Sequence, residues 1–82
     1  MTDTDGAALT ETLTQRMYHV AGDELADKVL ELFEGKKNDA LIWFMATEVQ
    51  ALGYRTPYRM CEDGKGADVE AVIHNLEHGV FM

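Results

Sequence analysis

His74 and His78 stand four residues apart, the spacing that puts two imidazoles on one face of a helix where both can reach a metal ion. A metal site needs a third and often a fourth ligand, and only Cys61 and Glu70 are at hand, neither at a defining spacing. The pair therefore reads as surface or interface histidines, and no metal or cofactor is expected. Cys61 has no Cys-His motif beside it and reads as a small buried thiol. Gly64-Lys65-Gly66 lacks the rest of a phosphate loop and follows no strand, so it reads as a turn. Glu62, Asp63, Asp68 and Glu70 lack the spacing of a calcium loop and read as a solvated edge. With no catalytic constellation left, the chain is expected to bind rather than to catalyse.

Those residues need elements to hold them, and the apolar spacing predicts helices throughout. Residues 1–8 are polar and suit a frayed start, after which Leu9, Leu13, Met17 and Val20 lay a stripe along a first helix. Gly22 breaks it, and Asp23 is a good N-cap for a second helix carrying Leu25, Val29, Leu32 and Phe33. Gly35 can take the left-handed position that ends it. A central helix over residues 39–52, capped by Asn38 and stopped by Gly53, carries Leu41, Phe44, Met45, Val49 and Leu52 on one broad face. Trp43 lies off that stripe beside Ala40 and Ile42, so this helix should meet neighbours on more than one side, with Trp43 and Phe44 in the core.

Thr56-Pro57 is a helix-start signal. Threonine accepts a hydrogen bond from a free amide, and proline fits the first helical position, where no amide partner is needed. It predicts a short helix over residues 57–62. After the turn at 63–66, Val69, Val72, Ile73 and Leu76 mark a last helix closed by Gly79. No segment alternates with period two, and no internal repeat appears. The expected fold is all-α, a small compact bundle of four to five short helices forming one domain over residues 9–82.

Charge narrows the partners. Fifteen acids against seven Lys and Arg give a net charge of -8, which repels the phosphate backbone, so no nucleic acid is expected. The excess is concentrated in residues 1–34, at -6 against -2 for residues 35–82, so the N-terminal part suits a basic partner surface. With 46% hydrophobic and 27% charged residues, the chain is globular rather than disordered. The single cysteine excludes an intramolecular disulfide, and no basic and apolar leader pattern opens the sequence. The longest apolar run, residues 40–46, falls far short of the roughly 20 residues a membrane span requires. A cytoplasmic protein with no membrane partner is expected.

Taken in order, several pieces resemble the toxin-binding domain of the MbcA/ParS (Xre-type) antitoxins, which accompany toxins of the RES family. Leu32-Phe33-Glu34-Gly35 is similar to that family's helix end, and Ala40, Trp43 and Phe44 to its Ala-x-x-Trp-Leu core motif. Leu52-Gly53-Tyr54-Arg55-Thr56-Pro57 resembles its Leu-Gly-Gly-x-Thr-Pro turn, the most specific piece. The likeness continues through Met60-Cys61, Gly66, Val69, Val72 and Leu76 and ends on Glu77-His78-Gly79-Val80-Phe81, so it covers about residues 24–82. The chain departs from the pattern in two ways. The residues before Glu24 leave no room for the family's helix-turn-helix, which suggests a stand-alone form, and residues 46–51 lack its Pro-Asn-x-x-Leu lead.

The resemblance implies an antitoxin or immunity protein that forms a hetero-oligomer with a RES-domain toxin. Such toxins are similar in fold to ADP-ribosyltransferases, and they bind and consume NAD. The resemblance further implies that the antitoxin's C-terminal segment lies over or into the toxin's NAD pocket. Candidate partner-binding residues are then Arg55, Thr56, Glu77, His78, Gly79, Val80, Phe81 and Met82, with Val80, Phe81 and Met82 as an apolar tail able to fill a pocket. Glu77 suits an arginine of the toxin's cofactor site, and Arg55 and Arg59 suit either nearby carboxylates or an acidic partner patch. A homodimer stays open. The competing reading is a small protein-binding or transcriptional regulator that acts without a toxin.

Overall fold

Most of this chain lies in helices, and what joins them is short. The computed structural model describes residues 2–78, with side chains from residue 8 onward. In order these are α1 (Thr2–Ala21), α2 (Asp23–Leu32), α3 (Lys37–Ala46), one 3-10 turn (Gln50–Leu52), α4 (Pro57–Glu62) and α5 (Gly66–Glu77). No strand occurs among the described residues, and a single antiparallel bridge pairs Val49 with Arg55. The all-α bundle read from the periodicity is what the chain forms.

The first helix runs back to Thr2, well ahead of the apolar stripe that opens at Leu9. Its C-terminal half does the packing: Met17 is fully buried, while Leu9 keeps 60% of its surface exposed. Thr14 is buried on the same face, and its hydroxyl donates to the Thr10 carbonyl at 2.7 Å, so no polar atom is stranded there. A single residue then reverses the chain. Gly22, at φ +88°, takes the N-cap position of α2 and supplies no side chain to it. Asp23, expected as the cap, is instead the first helical residue, where its charge and that of Glu24 favour the positive end of the helix dipole. Tyr18 on α1 ties the two helices by donating its hydroxyl to Asp27 Oδ1 at 2.5 Å.

The end of α2 also differs by one residue. Gly35 donates its amide to the Leu30 carbonyl at 2.8 Å, and Glu34 donates to Glu31 at 3.0 Å, the paired bonds that close a helix with a left-handed residue. That residue is Glu34, at φ +56°, with Gly35 following at φ +78°.

The central helix stops at Ala46, six residues short of the expected end at Leu52. Thr47 and Val49 are extended, as β-branched residues prefer. The Thr47 hydroxyl donates to the Ile42 carbonyl at 3.2 Å, replacing a backbone partner with a side chain. Val49 donates to the Arg55 carbonyl at 3.0 Å, closing a loop whose 3-10 turn lays buried Leu52 against α5. The proline of the related pattern is not needed for the break.

Thr56 caps α4 as its type and spacing require, accepting the Arg59 amide at 3.1 Å, with Pro57 in the first turn. Gly64, at φ +79°, then turns the chain into α5 with the same bond pattern that ends α2: Lys65 to Met60 at 2.8 Å and Gly64 to Cys61 at 3.0 Å.

Met17, Ala26, Val29, Ala40, Phe44, Val69 and Ile73 are fully buried and form the centre. Phe44 meets Tyr58 edge-on, with ring centres 6.1 Å apart. Trp43 is half-buried against Phe33 at 6.0 Å, and α3 packs on α1, α2 and α4, so it does meet neighbours on several sides. Burying a side chain such as Phe44 contributes about 1.5–3 kcal/mol.

Candidate partner-binding surface

The residues expected to meet a partner fall at two places, the entry to α4 and the last turn of α5. At the first, the Val49 bridge holds the Arg55 backbone, and its exposed guanidinium makes no ion pair among the described residues. Thr56 is half-buried with its oxygen engaged as the cap, which leaves its own proton for a further contact. Arg59, one turn on, pairs with Asp63 at 3.7 Å, the intramolecular alternative foreseen for it.

At the second place, Glu77 is the final residue of α5 and His78 its C-cap, both exposed. The His78 ring lies 4.3 Å from that of His74, so the i, i+4 spacing does bring the imidazoles together. No group of three or more His, Cys, Asp or Glu able to hold a metal ion occurs among the described residues. Gly79, Val80, Phe81 and Met82 lie outside the described residues.

A shallow hollow of about 400 Å³ runs beside this helix end, lined by Lys28, Glu70, His74, Asn75 and Glu77 among others. Its main charges answer each other. Lys28 Nζ reaches Glu70 Oε2 at 2.6 Å, which raises the lysine pKa and lowers that of the carboxylate. The pair joins α2 to α5 and leaves Glu77 as a carboxylate without an ion pair among the described residues. Cys61 is half-buried, and desolvation pushes its thiol pKa up, which lowers its reactivity.

Besides Leu9 on α1, two exposed large apolar residues were not singled out as site residues from the sequence. Ile42 and Tyr54 keep 61% and 64% of their surface open, and Tyr54 sits at φ +63°. A signal for Tyr54 existed: it stands where the related turn carries its second glycine, an exchange that puts a Cβ into a left-handed position.

The described residues thus define a small acidic helical bundle with no metal cluster among them, whose exposed large apolar residues are Leu9 on α1, Ile42 on α3 and Tyr54 in the turn before α4. The chain is similar to the protein named Antitoxin Xre from Yersinia enterocolitica (serotype O:8 / biotype 1B, strain NCTC 13174 / 8081). The two are 43% identical over 56 residues, which are 67% of this chain and 37% of that antitoxin. The chain therefore spans little more than a third of that relative's length. No protein-family model and no solved structure matches it. The likeness supports kinship with the Xre-type antitoxins.

Proposed function

We propose that this chain is a toxin-neutralising domain that binds a RES-type, NAD-consuming toxin and blocks its active site. The observation that carries this reading is the 43% identity to an Xre antitoxin across two thirds of the chain. Two features fit it. The Leu-Gly-x-x-Thr-Pro segment forms a capped turn that presents Arg55 and Thr56, and the net charge of -8 suits a cationic partner surface. In this reading Glu77 and His78 aim the C-terminal segment, and Val80, Phe81 and Met82 enter the NAD pocket. Inhibition is by occlusion, so it needs no cofactor and no chemistry by this chain. The complex is a hetero-oligomer in the cytoplasm.

Co-expression tests it. The chain should restore growth to a host producing the RES-domain toxin, and deleting Phe81 and Met82 should abolish protection while leaving the far-UV circular dichroism intact. Full protection by the truncated form would overturn tail insertion. Failure of the complete chain to protect would overturn the toxin reading itself.

A further inference from the structure

His74 and His78 are chemically able groups that the fold leaves unemployed. Both are exposed, their ring centres lie 4.3 Å apart at a 47° tilt, and neither side chain makes a hydrogen bond or an ion pair among the described residues. The helix creates the closeness. Residues four apart stand one above the other on a helix face, and here His74 lies in the last turn of α5 with His78 as its C-cap. Once one imidazole nitrogen holds an ion, the other is presented to it at high effective concentration, which is what makes a chelate.

The sequence spacing left the pair short of a third ligand, and the structure shows where the candidates went. Glu70 stands one turn before His74 on the same helix, but its Oε2 is taken by Lys28 Nζ at 2.6 Å. Cys61 packs beside Gly66 at the opposite end of α5. What remains is a site with two nitrogen donors whose other positions face water. A closed structural site needs four protein ligands, whereas an exchangeable ion can keep its waters. Imidazole donors suit copper, nickel and zinc, and magnesium and calcium prefer oxygen ligands.

We propose that His74 and His78 form a two-histidine site for a late first-row divalent ion, with water completing the coordination and the ion clamping the last turn of α5. The site stands apart from the toxin-binding reading and holds or falls without it.

The test is calorimetric titration of the full chain, free of any histidine tag, with Ni2+ at a pH of about 8, where ordinary imidazoles are neutral ligands. The parent should bind one Ni2+ per chain and Cu2+ more tightly. His74→Gln and His78→Gln should each weaken Ni2+ binding at least about tenfold. His19→Gln should bind as the parent does, because His19 lies on α1 with no second histidine within a turn. Saturating Ni2+ should raise the melting temperature of the parent and not of the two α5 variants, and Mg2+ should raise neither. Both α5 positions are exposed, so circular dichroism without metal should match across the set. A parent that binds no stoichiometric Ni2+ would overturn the site. Parent-like binding in either α5 variant, or an equal response to Mg2+, would also overturn it, leaving an adventitious ion only on an acidic surface.

Discussion

Glu34 and Gly64 fill the same position in the same kind of helix-ending turn, one with a Cβ and one without. Glu34 is exposed, so its side chain offers little packing to offset a left-handed backbone. Glu34→Gly should therefore stabilise the fold by about 0.5–1 kcal/mol, a rise of a few degrees in a thermal melt followed by circular dichroism. A lower melting temperature would show that the glutamate makes a contact worth more than the strain. Residue identities foretold some of these ends and not others. Thr56-Pro57 was legible because the cap and the proline answer one local need, the free amides of a first turn. Asp23 misled, because Gly22 can supply a backbone conformation that no other residue adopts as readily, and Asp23 is useful one position further on. Gly35 was one residue off for a related reason: two consecutive left-handed residues close α2, and composition alone does not say which one leads.

Between elements, polar ties add to the apolar stripe. The Tyr18 hydroxyl is held by Asp27, and that bond, helped by burial and by the nearby negative charge, pushes its pKa up to about 12 from the usual 10.0. A pKa raised in the folded state means stability that is complete below pH 10 and lost as pH rises towards 12. Tyr18→Phe is expected to lower stability at neutral pH by about 0.5–1 kcal/mol and to remove that tyrosine-linked part of the alkaline loss. Denaturant titrations at pH 7 and pH 11 measure both effects, and an unchanged alkaline slope in the variant would contradict the link. The apolar periodicity located four of the five helices, since Met17, Val29, Phe44, Val69 and Ile73 all reach the core as spaced, and the Thr56-Pro57 start signal located α4. It overran α3 because Val49 and Leu52 continue a helical stripe on paper. In the fold they reach the core region from a loop and a 3-10 turn, with Thr47 unfavourable to a continued helix.

As a whole, the molecule is an acidic bundle in which three of the seven Lys and Arg pair with its own acids: Lys28 with Glu70, Lys37 with Glu11 and Arg59 with Asp63. Arg16, Lys36, Arg55 and Lys65 make no ion pair among the described residues. The candidate surface was legible at the level of the Thr-Pro turn, where a motif carries the signal. Ile42 and Tyr54 were not, because exposure depends on where α3 stops and how the following loop folds back, which the apolar pattern misjudged. The likeness to an Xre antitoxin is what supports the proposal that this surface neutralises a toxin. The most direct measurement is the rate of NAD consumption by the purified RES-domain toxin as this chain is added in increasing amounts. Activity should fall to background once the chain reaches stoichiometric equivalence, and deleting Phe81 and Met82 should restore it. An NAD consumption rate unchanged by excess chain would contradict the proposed role.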